Sequence, residues 1–443
     1  MIRRRTVIAA AGLAGGCSPM RPAPPGPAAL DHELQALLQD PRAPLLALAA
    51  LALRDGEVVY QGAFGWRHAG DGAAMPPLPV TPRTLFRVAS ISKLVVTLGV
   101  MRLVEQGRLT LDDDVSRWLG WRLRHPRFDA TPITLRLLLS HRSGLSDGGE
   151  RYNLPASTRL QDLLQPQGAQ FSEGLNWNLA RAPGTWFEYV NLNFGVIAQV
   201  MECATGDRFD RLMQRLVLQP LGLRGGFDPS ALPSTDLADI ATLYRRRRIE
   251  GGREVWDPQG PWVVQTDDFR RTPPASIDGL DRYVVGTNGT LFGPQGRLRT
   301  GVAELGVVMR MLLHQGRHEA QAFLQPQTVA LMASEQWHLN AARDNGAPDR
   351  DGALSWGLGV QRFTDQGGPG RGDRLVEGGG FAGWGHGADA YGLTGVMAVD
   401  PQRHRGIVVL LAGPGIDPAT HRARDSALDR WAERALGALF KHS

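Results

Sequence analysis

The sequence predicts an α+β fold: an antiparallel sheet flanked by N- and C-terminal helices, with a mostly helical lobe inserted between the two ends. Three observations predict it. Residues 45–66 read as an apolar run, an Asp55-Gly56 turn pair and a stretch rich in Val, Tyr, Phe and Trp, which is the pattern of a hairpin. Residues 391–399 and 406–411 repeat that pattern across Asp400-Pro401. Between them, from Leu109 to about Val217, apolar residues recur at helical spacing, so strands lie near both ends and helices in the middle.

At the N-terminus, Arg3, Arg4 and Arg5 precede the short apolar run Thr6–Gly16 and then Cys17. This is the layout of a secretion signal, and the run is too short to span a bilayer. Arg4-Arg5-Thr6-Val7-Ile8 resembles a twin-arginine core, and Ala14-Gly15-Gly16-Cys17 resembles a lipobox in which alanine stands where leucine is usual. Residues 1–27 are therefore expected to be a signal peptide or lipoprotein signal plus the Pro-rich tether PAPPGP, and the mature protein exported. It would be periplasmic, or anchored to the membrane through a lipidated Cys17. Residues 28–443 form the folded domain, with the helical lobe inserted at roughly 109–285.

Within that domain a short helix is expected from Ala28 to Asp40, stopping at Pro41. After the first hairpin and a Pro-rich loop, a helix begins near Ser90 and ends near Gly107. From Asp228 to Tyr283 periodicity fades, and Arg245 to Arg248 read as a solvated loop. A helix is expected over Val302–Leu313, and a long amphipathic one over Ala419–Phe440.

Composition excludes several classes. With 42% hydrophobic and 21% charged residues the chain is globular, and 443 residues can bury a large core. Of the net charge of +5, the three N-terminal arginines supply three, leaving +2, so nothing points to nucleic acid. Removing the signal leaves Cys203 as the one thiol, set among apolar residues, so no intrachain disulfide is expected. The histidines are scattered and no Cys/His pair has ligand spacing, so neither metal nor cofactor is expected.

Lysine carries the chemistry. Lysine plus arginine total 49, yet only Lys93 and Lys441 are lysines. A position kept as lysine in so arginine-rich a chain suggests work a guanidinium cannot do, because a buried ammonium can lose its proton. Ser90 stands three residues before it in Ser90-Ile91-Ser92-Lys93, at the start of the helix, so hydroxyl and amine share one face. Two further patterns could join them. Tyr189-Val190-Asn191 places a phenol and a carboxamide two residues apart, on one side if the segment is extended. FAGWGHGADAYG (381–392) sets His386 among glycines that would admit a substrate close to backbone.

As a set these motifs resemble the serine β-lactamase and penicillin-binding protein superfamily, on the branch holding class C β-lactamases, D-Ala-D-Ala carboxypeptidases and related esterases. FRVASISK, ITLRLLLSHRSGL, PGTWFEYVNLNFGVIAQVME, QPLGL and GTNGTLFGPQGRLRT look like its segments in the same order, from about Pro44 to Leu411. The resemblance implies a β-lactamase/transpeptidase-like fold with Ser90 as nucleophile and Lys93 as its base. Tyr189 would carry a proton to the leaving group, provided a cation lowers its pKa from about 10. Asn191 would hydrogen-bond substrate, and the N–H groups of Ser90 and of the glycine-rich strand would hold the oxyanion.

The third motif departs from the β-lactamase pattern, where Lys-Thr-Gly supplies a permanent cation. Here His386-Gly387-Ala388 fills the slot. In that register Asp389 supplies the second oxyanion N–H; shifted by one, Ala388 does, and both remain open. A histidine is mostly neutral at pH 7, so a substrate carboxylate would be weakly anchored. The expected activity is hydrolysis of small acyl esters. The alternatives are a β-lactamase or D-Ala-D-Ala peptidase, and a catalytically weak binding or sensor protein of the same fold.

Overall fold

The computed structural model describes residues 27–348 and 352–442. The segment 1–26, on which the expectations of export and of a lipidated Cys17 rest, lies outside them. The chain runs through α1 (Pro27–Leu38), β1 (Leu45–Arg54), β2 (Glu57–His68), α2 (Ile91–Glu105), α3 (Leu192–Thr205), β3 (Leu243–Glu250), β4 (Arg253–Trp256), β5 (Trp262–Thr266), α4 (Val302–Leu313), β6 (Gly383–Ala390), β7 (Leu393–Asp400), β8 (Arg405–Pro414) and α5 (Arg430–His442), with shorter pieces between.

Among the described residues the main sheet has nine strands, all neighbours antiparallel. Its order is Trp337–His338, Ser355–Trp356, Gln361–Phe363, β6, β7, β8, β1, β2, Leu78–Pro79. The two ends of the chain meet at its centre, where β1 pairs with β8 from Leu45 opposite Pro414 to Arg54 opposite Arg405. β1 is an unbroken apolar run because both its faces are covered. Ala47, Ala49, Leu51 and Leu53 join the core that holds α2 and α4, whereas Leu48, Ala50 and Ala52 join α1 and α5.

Both expected hairpins form, β1–β2 and β7–β8, the latter joined through residues 401–404, and a third, β6–β7, was not expected; the turns of the first and the third each use two residues of positive φ, which match strand twist. Asp55 and Gly56 (φ 53° and 80°) turn β1 into β2, and Tyr391 and Gly392 (55° and 86°) turn β6 into β7. The second pair corrects an expectation: Tyr391 is turn, and the glycine-rich stretch before it is itself a strand. Gly383 and Gly385 are required there by close packing, since a Cβ would lie 2.0 Å from the Val399 carbonyl oxygen and 1.9 Å from that of Met397.

Three other expectations are corrected. Arg245 to Arg248 lie in β3, within a small sheet of order β4-β3-β5, and not in a loop. Alternation sends Arg245 and Arg247 onto Trp256 (5.5 and 3.9 Å to its ring) and Arg246 onto Trp262 (4.5 Å). The C-terminal helix begins at Arg430, not near 419, because the Asp429 carboxylate caps it by accepting from the Ala432 N–H at 2.8 Å. From 109 to 217 the chain is less helical than expected: besides α3, a helical run continues from Phe209 to Leu218, α-helical to Met213 and π-helical beyond, and the other helices among the described residues are single turns of three to five residues joined by irregular chain. Cys203 is half-buried on α3, with its thiol 3.5 Å from the Gly286 carbonyl oxygen.

Candidate active site

Ser90 is the residue before α2, with φ −68° and ψ −10°, and its hydroxyl makes no capping bond to the helix. Ala89 before it sits at φ 44°, a strained conformation for a residue with a Cβ. Lys93, one turn on, is fully buried because nearly all of α2 is enclosed. Its Nζ donates to Ser90 Oγ at 2.9 Å, Asn191 Oδ1 at 2.8 Å and the Gln295 carbonyl oxygen at 2.8 Å. None of these three carries a charge. Burial therefore lowers the ammonium from 10.5 to about 7, against an opposing pull from Asp147.

Tyr189 is half-buried, and its phenol hydrogen-bonds Ser90. Lys93 Nζ lies 4.9 Å from the centre of its ring. The condition set for this tyrosine, a pKa lowered by a cation, is not met: burial dominates and raises it, so the phenol keeps its proton at neutral pH. His141 stacks on the ring at 4.5 Å between centroids and 28° between planes, and Trp356 meets it edge-on at 5.7 Å.

Asn191 differs from the extended geometry expected of it. The strand covers only Phe187–Glu188, and Asn191 is the helical cap of α3, with φ −68° and ψ −37°. Tyr189 and Asn191 nonetheless converge on Lys93. The carboxamide, expected to bind substrate, is engaged by protein at both ends: Oδ1 accepts from Lys93, and Nδ2 donates to Asp147 Oδ2 at 2.9 Å.

His386 sits on β6, only 3% exposed. Its Nδ1 is 2.8 Å from the Gly387 carbonyl oxygen, an acceptor, so Nδ1 bears the proton and Nε2 is a bare lone pair. Among the described residues Nε2 has no hydrogen-bond partner. Burial, helped by the Lys93 charge, holds the ring at about 3, so it is neutral throughout the working pH range. Gln361–Phe363 pair with β6 only as far as Gly385, which leaves the backbone of residues 386–390 open at that edge. Alternation puts His386 and Ala388 on the α2 side and Gly387 and Asp389 on the other, where the Asp389 charge helps to raise the pKa of Asp429.

Ser90, Tyr189, Trp356, His386, Gly387 and Asp389 line one cavity of about 350 Å³, which Ala388 also borders. The structure thus brings every expected site residue to one place. Sequence reasoning missed Asp147 and the Gln295 carbonyl oxygen. Asp147 lies in an irregular loop with no spacing relation to Asn191, and a backbone oxygen leaves no mark on a side-chain pattern. No group of three or more His, Cys, Asp or Glu able to hold a metal occurs among the described residues.

The Beta-lactamase family model matches residues 34–430, nearly the whole described chain. The chain belongs to the Beta-lactamase family. Among curated relatives in the family, it is 33% identical over 248 residues to esterase EstB of Burkholderia gladioli, covering 53% of this chain and 59% of that one. It is 29% identical over 168 residues to the D-alanyl-D-alanine-carboxypeptidase/endopeptidase AmpH of Escherichia coli K12, covering 37% and 42%. Each match thus spans less than two thirds of the relative's length. The family fold extends further: the octameric penicillin-binding protein homologue of Pyrococcus abyssi superposes with a TM-score of 0.62 at 21% identity, over 93% of this chain and 77% of that one.

Proposed function

We propose that the protein is an exported serine hydrolase that forms an acyl-enzyme on Ser90 and acts on small neutral acyl esters. The observation that carries the hydrolase reading is the 2.9 Å contact between Ser90 Oγ and a buried Lys93 whose pKa is about 7. An amine so poised is substantially neutral at neutral pH and can take the hydroxyl proton. In the step proposed, Ser90 Oγ adds to the ester carbonyl as its proton passes to Lys93. The oxyanion would be held by the Ser90 N–H and an N–H of β6, from Ala388 or Asp389, each donor accounting for roughly 10² to 10³ in rate. The tetrahedral intermediate collapses, the C–O bond to the alcohol breaks, and Tyr189, held as a neutral phenol, donates the departing proton before Lys93 replenishes it. Water then enters by the reverse route and frees the acid.

Ester preference is supported by what the cleft offers a substrate anion. His386 is neutral, and Arg422 lines the cavity together with Asp373, Asp389 and Asp429. β-Lactams and D-Ala-D-Ala peptides carry a carboxylate that so acidic a lining disfavours, and the likeness to EstB agrees. The likeness to AmpH keeps the peptidase reading as the rival. The test compares turnover of p-nitrophenyl acetate, nitrocefin and a D-Ala-D-Ala peptide, with intact-mass detection of a fluorophosphonate adduct. Wild type should gain the adduct, Ser90→Ala should not, and kcat/KM should favour the ester. An unlabelled wild type would sink the hydrolase reading in favour of a binding protein, and preference for nitrocefin or peptide would sink the ester choice.

The proposal of export rests on the N-terminal sequence, with Cys17 as a lipid anchor. Cell fractionation with palmitate labelling tests it: Cys17→Ser should lose label and move from the membrane to the soluble periplasm. Cytoplasmic retention of the wild type would refute it.

A further inference from the structure

Asp147 touches none of the groups assigned a chemical step, yet its carboxylate accepts three hydrogen bonds from the residue pair that opens α3. Oδ2 accepts from the Asn191 N–H at 3.1 Å and from Asn191 Nδ2 at 2.9 Å, and Oδ1 accepts from the Leu192 N–H at 2.9 Å. Part of this is ordinary helix capping, in which a carboxylate takes up the free N–H groups of the first turn. The bond to Nδ2 is not. A primary amide has one accepting end and one donating end, and the Lys93 ammonium can use only the accepting end. By holding the donating end, Asp147 fixes the amide rotation that turns Oδ1 towards Nζ at 2.8 Å.

We propose that Asp147 is a positioning residue for Lys93: its carboxylate clamps the Asn191 carboxamide in the orientation that receives the amine, and it is the acidic counter-charge of an otherwise neutral pocket. This rests on the proposed role of Lys93 as the base for Ser90. The ionisable groups facing Lys93 are Tyr189 and Asn191's neighbour Asp147 from the α3 side, His141 from the loop packed on Tyr189, and His386 from β6. Tyr189 is a neutral phenol, and burial keeps both histidines uncharged, so Asp147 supplies the negative charge. Asp147 is itself half-buried, and burial raises its pKa against the lowering effect of its three N–H donors. It faces Tyr152, whose pKa it helps to raise.

The clamp does two separable things. Orientation sets whether Nζ is held beside Ser90 Oγ, and charge sets the pH at which Nζ gives up its proton. The chain's two lysines make the second directly visible, because a protein labelled with [13Cε]lysine shows one signal from Lys93 and one from exposed Lys441.

The experiment titrates that Lys93 signal and the kcat/KM of p-nitrophenyl acetate in parallel, in wild type, Asp147→Asn and Asp147→Glu. In Asp147→Asn the Lys93 midpoint should fall by about one pH unit or more, and the acid limb of the rate profile should move down with it. A midpoint and limb both unchanged overturn the inference, since a merely structural aspartate would lower activity without moving either. Should Asp147→Asn fail to fold, Asp147→Glu decides. It keeps the charge, so the midpoint should stay put, while the longer side chain loses the grip on Nδ2 and kcat should fall on the order of tenfold or more with KM little changed. An unchanged kcat in Asp147→Glu overturns the clamp. If instead wild-type Lys93 titrates while its rate profile shows no matching limb, the assignment of Lys93 as base fails, and the two failures are thereby told apart.

Discussion

Lys93 sits among three uncharged oxygen acceptors in a space closed to water, and this burial both lowers its pKa, as the proposed base requires, and destabilises the fold. Lys93→Arg keeps the charge and removes the base, since guanidinium does not deprotonate. We expect kcat/KM for p-nitrophenyl acetate to fall by roughly 10² to 10⁴; retention within a few-fold would rule Lys93 out as the proton acceptor. Lys93→Met probes the other half. The folded pKa of about 7 lies below the unfolded 10.5, so between these values the unfolded chain binds more protons and wild-type stability rises with pH, by up to about 1.4 kcal/mol per unit from this group. Below pH 7 the penalty is fully present. Lys93→Met should therefore melt above wild type at pH 6.5, with the gap shrinking towards pH 10, as read by thermal denaturation at several pH values; a gap independent of pH would contradict a buried, depressed ammonium. At this scale the sequence was informative where residue type was constrained by chemistry: a lysine kept among arginines exposed Lys93, and its spacing exposed Ser90. It was silent where geometry alone confers the role. Asp147 is one aspartate among many until α3 brings it to Asn191, and Gln295 contributes an atom every residue has.

The element that shapes the cleft is β6, whose glycines look alike in sequence and differ in space. A Cβ on Gly385 would lie 1.9 Å from the Met397 carbonyl oxygen, inside the neighbouring strand β7, whereas one on Gly387 meets only the Gly395 carbonyl oxygen, at 3.9 Å. Gly385 is thus required by the sheet, while Gly387 borders the cavity without being required by it. Gly385→Ala should cost on the order of 1 to 3 kcal/mol through strain on β6 and β7. Gly387→Ala should melt within about a degree or two of wild type and raise KM for the ester by narrowing the open strand edge. Melting temperatures together with KM test both; a strongly destabilised Gly387→Ala would mean that the strand packs more tightly at that position than its surroundings imply. Elements were legible wherever periodicity and turn chemistry agreed, as at Asp55-Gly56 and along Val302–Leu313. They were illegible where an element borrows its stability from another. β3 is a run of four arginines made tolerable by Trp256 and Trp262 on its neighbours, and the stretch 419–429 has helical composition but is held off-helix by its own hydrogen bonds, among them those from the N–H groups of Arg424 and Asp425 to the Glu433 carboxylate at 2.8 Å each.

Across the whole molecule, the sheet that carries β6 depends on both ends of the chain. β1 pairs with β8 across more than three hundred residues of sequence, and the face of that sheet opposite α2 is closed by α1 and α5 packing against it and against each other, with Ala432 of α5 also bordering the cavity. Trp431 fastens the arrangement: it is 2% exposed, and its indole N–H donates to the Ala43 carbonyl oxygen at 2.9 Å, tying α5 to the entrance of β1. α5 touches neither Ser90 nor Lys93, so a modular view would let it be removed without loss of the site. The shared sheet argues otherwise, because removing α5 uncovers Val396, Ala398, Ile407, Val409 and Leu411 on β7 and β8, and β7 is the partner that holds β6 in place. Deleting residues 430–443 should accordingly abolish soluble, active protein. The milder Trp431→Ala loses a large buried ring and leaves the Ala43 carbonyl unpaired, at about 3 to 5 kcal/mol. Its melting temperature should fall by several degrees or more, while Ser90 still takes the fluorophosphonate label at temperatures where the protein remains folded. Soluble truncated protein that labels at the wild-type rate would show that the catalytic half folds without the terminal helices, and the two-ended sheet would then not be the unit on which the site depends.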